Sequence, residues 1–151
     1  SDATYGQCSV AAVGVAAHEC GHAIQHARGY APLQFRSALV PVANFGSMIA
    51  WPLIVLGLFI NSQSSALLIN IGILAFSLAV LFQLVTLPVE YNASGRAVRI
   101  LAETGMMQGE EIVATKKVLN AAALTYVASA AAAILQLVRI LILTGGRRRD
   151  D

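Results

Sequence analysis

Residues 37–89 read SALVPVANFGSMIAWPLIVLGLFINSQSSALLINIGILAFSLAVLFQLVTLPV and contain no Lys, Arg, Asp, Glu or His. A second run without these residues covers 118–138. A transmembrane helix needs about 20 mostly apolar residues, so the first run is long enough for two crossings and the second for one. The sequence therefore predicts an all-α membrane protein with spans at about 38–60, 65–87 and 119–143.

The overall composition agrees with a bilayer environment. Of the 151 residues, 57% are hydrophobic and 12% are charged, whereas about 25% of residues are charged in an average soluble domain. The formal net charge of +2 gives no indication of a nucleic-acid partner. We expect a single membrane-embedded domain over residues 1–151, with the lipid bilayer as its surroundings.

Helix boundaries follow from caps, acids and prolines. Ser9 is placed to cap a first helix that runs to Arg28, and Gly29 is expected to end it. Pro88 predicts a break between the second span and a further helix at about 89–103. The last helix is expected to begin near Glu110, because acidic residues suit the positive end of a helix dipole.

The first predicted helix carries the motif His18-Glu19-Cys20-Gly21-His22, which reads H-E-x-x-H. Histidines at positions i and i+4 share one face of a helix, so both rings can reach the same metal ion. Glu19 lies beside them and can take a proton from water at that metal. The motif therefore predicts a zinc metallopeptidase with His18 and His22 as ligands and Glu19 as the catalytic base.

A catalytic zinc usually has three protein ligands and one open position, so a third ligand is needed. His26 lies eight residues after His18, about 12 Å along a helix. Zn–N bonds are only about 2.1 Å long, so one metal ion cannot reach both. If two spans separate His22 from Val89, the chain returns to the side that it left. Glu90 then emerges on the side of the two motif histidines.

Glu90 is favoured over the other acids expected on that side. Those acids suit solvent-exposed helix ends: Glu103, Glu110 and Glu111. Glu90 instead follows a long apolar run, and Ser94 lies on its helical face. The alternative for Glu90 is an interfacial glutamate paired with Arg96 or Arg99.

Three separated segments carry a further signal: 16–25 (AAHECGHAIQ), 39–44 (LVPVAN) and 87–94 (LPVEYNAS). They resemble the YugP-like neutral zinc metallopeptidases, a family of bacterial membrane proteins. The family belongs with the gluzincins, whose third zinc ligand is a glutamate on a later helix, so the resemblance implies Glu90. In related gluzincins an aspartate four positions after that glutamate supports a ligand histidine. This chain has Ser94 there, so a hydroxyl that can donate or accept a hydrogen bond stands in place of the orienting carboxylate.

The resemblance also concerns the start of the chain. Members of the family are longer at the N-terminus, with a membrane anchor and a further segment before the H-E-x-x-H helix, whereas seventeen residues precede His18 here. Gluzincins usually bind substrate along an edge strand before this helix by β-augmentation, and the sequence shows no such strand. We expect an N-terminally short member of the family or a fragment.

Motif and resemblance together indicate hydrolysis of peptide bonds in peptide or protein substrates, with Zn²⁺ as cofactor. The group that stabilises the oxyanion stays open among Tyr30, Tyr91 and Arg96. Two other functions stay open as well. One is a non-catalytic membrane scaffold that carries the motif without its chemistry. The other is a structural zinc site, which would need a fourth ligand such as His26 or Cys20.

The distribution of basic residues predicts which side of the membrane the motif faces. Six basic residues are expected on the side of the predicted zinc site: Arg28, Arg36, Arg96, Arg99, Lys116 and Lys117. Three are expected on the opposite side: Arg147, Arg148 and Arg149. Since cytoplasmic loops carry an excess of Lys and Arg, we expect the site to face the cytoplasm. The resemblance implies that the membrane is that of a bacterial cell.

Overall fold

The computed structural model describes residues 8–60 and 63–145. Within these ranges every regular element is a helix. The four helices are α1 (Val10–Ala27), α2 (Ala31–Phe59), α3 (Ser65–Glu103) and α4 (Glu110–Gly145). The predicted all-α fold is therefore confirmed. The arginines expected at the far end of the chain, Arg147 to Arg149, lie outside the described residues.

The caps of α1 lie where the sequence predicts them. The Ser9 side chain accepts a hydrogen bond from the backbone N–H of Ala12 at 3.2 Å, which satisfies one of the donors that a helix N-terminus leaves unpaired. At the other end Arg28 is the C-cap, and Gly29 follows with a φ of 60°. Glycine adopts this left-handed conformation without the steric cost of a Cβ, so the chain can turn directly into α2.

Pro88 does not end a helix, and the prediction of a separate helix at 89–103 is wrong. α3 continues without interruption from Ser65 to Glu103 with Pro88 inside it. A proline inside a helix costs about 3 kcal/mol, because it lacks an N–H and crowds the preceding turn. Packing on the next turns offsets this cost. Three residues after Pro88 have no exposed surface: Val89, Ala93 and Ala97.

Three helices, α2, α3 and α4, are long and apolar enough to cross a membrane. In their most apolar windows only 22%, 22% and 17% of the residues are buried. Large apolar side chains face outwards instead, among them Phe59 at 85% exposure and Leu135 at 70%. Apolar surface of this extent needs lipid around it. The chain is therefore a membrane protein with three candidate spans, as the charge-free runs predict.

The described part of the chain divides into two compact units, one of which contains Phe35–Val85 and the described residues from Ala128 onwards. In this unit α2 and α3 pack through small residues. A Cβ added at Gly46 would lie 2.8 Å from the carbonyl oxygen of Ala75. Glycine thus permits a close approach of the two backbones, as is usual where transmembrane helices pack.

The other unit contains the described residues up to Gln34 together with Thr86–Val127. It is built from α1, the last part of α3 and the first part of α4. Its buried core consists of Ala17, Ala97, Leu101, Met107 and Leu119. α1 carries the H-E-x-x-H motif and the last part of α3 carries Glu90, so this unit holds all three side chains that the sequence predicts as zinc ligands.

Candidate metal centre

The motif reaches α3 because the backbones of α1 and α3 lie very close together at Gly21. A Cβ added at Gly21 would overlap the carbonyl oxygen of Ala93 and lie 3.0 Å from its carbonyl carbon. Alanine at position 93 has no exposed surface, so the contact is fully packed. The residues of α1 near this contact include the two motif histidines, and those of α3 include Glu90. Close helix packing therefore brings the polar side chains of the two helices together.

Three of these side chains converge on one point. The Nε2 atom of His18 lies 3.1 Å from Nε2 of His22 and 3.1 Å from Oε2 of Glu90. Nε2 of His22 lies 3.5 Å from the same carboxylate oxygen. We call these three atoms the ligand triangle. The structure thus brings together, within 4.8 Å of one another, the three residues that the sequence predicts as ligands.

The dimensions of the ligand triangle fit zinc. Ligand atoms about 2.1 Å from a tetrahedral zinc ion lie roughly 3.4 Å from one another, close to the observed separations of 3.1 and 3.5 Å. Two imidazole nitrogens and one carboxylate oxygen are also a donor set that catalytic zinc uses. The Glu90 side chain is 3% exposed, whereas those of His18 and His22 are 17% and 21% exposed. A metal ion held here would therefore be accessible from the histidine side.

Each histidine is also contacted at its other ring nitrogen. Nδ1 of His18 lies 3.0 Å from Oγ of Ser94, and Nδ1 of His22 lies 2.9 Å from Oε1 of Gln25. Such partners fix the ring orientation of metal-binding histidines. The sequence pattern indicated a role for Ser94 but not for Gln25. The available signal was helical spacing, since Gln25 lies four residues after Gly21 and so on the buried face of α1.

Other residues considered from the sequence lie outside the ligand triangle. Glu19, Cys20 and His26 are exposed, and neither Cys20 nor His26 belongs to the metal-ligating group found among the described residues. The acids at the helix ends are exposed as well: Glu103, Glu110 and Glu111. Both cysteines are free thiols. The geometry thus gathers three ligand side chains at this point and leaves Glu19 at the surface, directly after His18.

Arg96, considered above as an ion-pair partner of Glu90, contacts other groups. Its Nε donates to Oδ1 of Asn92 at 2.7 Å, and its guanidinium lies over the ring of Tyr30, with Cζ 5.8 Å from the ring centroid. Such a cation–π contact holds the guanidinium in place. Two of the three candidates for stabilising an oxyanion are therefore in contact with each other, and the third, Tyr91, is 44% exposed.

Comparison with known proteins gives two matches. Residues 1–145 match the model of a family described as "Putative neutral zinc metallopeptidase". The chain is also 45% identical, over 148 residues, to the protein of Bacillus subtilis (strain 168) described as "Putative membrane protease YugP". That alignment covers 97% of this chain and 64% of the relative, so the chain spans less than two thirds of the relative's length. No solved structure matches the chain significantly.

Proposed function

This chain belongs to the neutral zinc metallopeptidase family, and we propose that it hydrolyses peptide bonds with a zinc ion held by His18, His22 and Glu90. The observation that carries the proposal is the ligand triangle, with its separations of 3.1 and 3.5 Å. Zinc bound there would polarise the scissile carbonyl and lower the pKa of water. The three side chains leave one tetrahedral position for that water, as catalytic zinc sites do.

Glu19 is the proposed general base. Adjacent helical positions diverge by about 100°, so the exposed Glu19 carboxylate projects beside the ligand triangle and not into it. The carboxylate takes a proton from the attacking water as the water oxygen bonds to the carbonyl carbon. It then returns the proton to the nitrogen of the leaving amine as the C–N bond breaks.

Three ligands favour this catalytic site over a structural one. Structural zinc sites are almost always closed by four protein ligands. Within the described ranges the metal-ligating group at this site contains three residues, and the exposed His26 and Cys20 are not among them. The open position of a three-ligand site is what hydrolysis needs.

We further propose that the substrates are peptide or protein segments and that the site faces the cytoplasm. The relative with 45% identity is described as a membrane protease, which supports a protein substrate. The excess of basic residues on the side of the site, six against three in the sequence, supports the orientation.

The test is cleavage of an unfolded protein by the detergent-purified, zinc-loaded chain beside its Glu19→Gln variant at equal zinc content. Glutamine keeps the size of the side chain but cannot accept the proton, so the rate should fall by about 10²–10⁴-fold. Equal rates in the two proteins would point to a contaminating protease and refute the role of Glu19. No cleavage by a parent chain that binds zinc stoichiometrically would refute the peptidase activity of this chain.

A further inference from the structure

Gln25 is a fully buried amide next to the candidate metal centre. It has no exposed surface. Its Nε2 donates to the backbone carbonyl of Val89 at 2.8 Å and to Oδ1 of Asn92 at 3.1 Å, and its Oε1 lies 2.9 Å from Nδ1 of His22. A buried amide is tolerated only when its polar groups are paired. Gln25 is therefore held in one orientation between α1 and α3.

The chemistry of its neighbours dictates which end of the Gln25 amide faces which group. A backbone carbonyl only accepts hydrogen bonds, so the atom that faces the Val89 oxygen must belong to the NH₂ group. A guanidinium only donates, so the Asn92 atom 2.7 Å from Nε of Arg96 must be the oxygen. That same oxygen accepts the second hydrogen bond from Gln25. Both contacts turn the oxygen of Gln25 towards His22.

The orientation of Gln25 in turn decides where His22 carries its proton. An amide oxygen opposite Nδ1 requires a hydrogen on Nδ1, and a neutral imidazole carries only one N–H. The lone pair therefore stays on Nε2, the atom that belongs to the ligand triangle. We propose that Arg96, Asn92 and Gln25 form a relay of hydrogen bonds that holds His22 in its metal-binding tautomer before any metal arrives. The proposal rests on the proposed zinc site, and the three are positioning residues.

His18 differs from His22 in this respect. Its Nδ1 faces the Ser94 hydroxyl at 3.0 Å, and a hydroxyl can donate or accept, so either tautomer of His18 is compatible with that contact. The aspartate that related gluzincins often carry at this position would only accept a hydrogen bond. This chain instead provides a group that can only accept, the amide oxygen of Gln25, at the other histidine.

The relay is tested by ¹⁵N NMR of the histidine rings in the detergent-solubilised chain, without metal and with zinc. The His26→Gln background leaves the signals of His18 and His22, and removal of His18 assigns them. We expect His22 to be protonated at Nδ1 in the metal-free parent. Gln25→Met, which keeps the length of the side chain without the amide, should lose this single tautomer, and its zinc affinity should fall by about 10–100-fold.

A matched pair at Asn92 separates polarity from packing. Asn92→Asp keeps an oxygen that accepts from both neighbours and should be parent-like in the His22 tautomer and in zinc affinity. Asn92→Leu removes the acceptor at a similar size and should weaken zinc binding, though less than Gln25→Met does because Val89 still orients the amide. If circular dichroism shows that Gln25→Met does not fold, the two Asn92 variants still test the relay.

Three results would overturn the relay. The first is a metal-free parent whose His22 is protonated at Nε2. The second is an unchanged tautomer and zinc affinity in a folded Gln25→Met chain. The third is an equal loss of zinc affinity in Asn92→Asp and Asn92→Leu, which would show that the shape of Asn92 matters and its acceptor oxygen does not. A parent that binds no zinc refutes the zinc site alone, because the tautomer of the metal-free chain decides the relay separately.

Discussion

Replacing Gly21 by alanine tests whether the close approach of α1 and α3 builds the candidate metal centre. The new Cβ would overlap the carbonyl oxygen of Ala93 and lie 3.0 Å from its carbonyl carbon and 3.1 Å from its Cα. Non-bonded carbon atoms pack best at about 3.5–4.0 Å, so the helices must separate by roughly 0.5–1 Å. Side-chain rotation cannot relieve the overlap, since the carbonyl and Cα atoms of Ala93 belong to the backbone.

The separation of the helices should affect metal binding more than folding. The two histidines are on α1 and Glu90 is on α3. If these helices move apart at Gly21, the distances of 3.1 and 3.5 Å from the histidine Nε2 atoms to Oε2 of Glu90 should lengthen. We expect zinc affinity to fall by about 10–100-fold, the loss typical of disturbed support around a metal site. Overpacking costs about 1–3 kcal/mol, and alanine returns about 1 kcal/mol through its higher helix propensity. The free energy of unfolding should therefore fall by about 0–2 kcal/mol.

Zinc affinity is measured by competition with a chromophoric chelator, and unfolding in detergent by circular dichroism. Gly95→Ala is the matched control, because Gly95 is an exposed residue of α3 at which an added Cβ meets nothing within 4 Å. The control should keep the zinc affinity of the parent and gain up to about 1 kcal/mol in stability. Parent-like zinc affinity in Gly21→Ala would refute the reasoning, as would an equal loss in Gly95→Ala.

Three further predictions concern the ligands and the membrane orientation. Glu90→Gln keeps the shape of the side chain without its charge. Zinc affinity in the same competition assay should fall by more than about 100-fold, which exceeds the usual effect of residues that only support a ligand. Unchanged affinity would contradict the role of Glu90 as a ligand. Ser94→Ala removes the hydroxyl 3.0 Å from Nδ1 of His18, and we expect about a tenfold loss of zinc affinity, measured in the same way. In a Cys8→Ser chain, Cys20 remains as an exposed free thiol. A membrane-impermeant maleimide should label it in inverted vesicles, whereas labelling in intact cells would show that the site faces outwards.

The elements that could be predicted from the sequence depend on local composition or on local hydrogen bonds. The three spans follow from runs without charge, and the start of α1 follows from the capping side chain of Ser9. Pro88 is an exception to these local rules, because α3 continues through it. The cost of a proline inside a helix is local and visible in the sequence, whereas the burial of Val89 and Ala93 depends on packing within the folded unit.

Some residues of the candidate metal centre could likewise be predicted from the sequence, and others could not. His18 and His22 belong to a motif with helical spacing, and the position of Glu90 follows from counting membrane crossings and from the resemblance. The contributions of Gln25 and Asn92 could not be predicted. They depend on which end of each amide faces a partner, and the two residues lie 67 positions apart in the chain.

The hydrogen bonds that join α1 to α3 connect residues 64 to 76 positions apart. For a flexible chain, closing a loop of this length costs about 4 kcal/mol, and the helices formed in between reduce that cost. Residues 89–94 are synthesised after all of α2 and most of α3, so α1 can dock only late in the assembly of the protein. Zinc at about 100 times its dissociation constant would add about 2.7 kcal/mol to the docked state. Bound zinc would therefore favour the completed fold in newly inserted chains, a contribution to the maturation of the protein that is separate from the proposed hydrolysis.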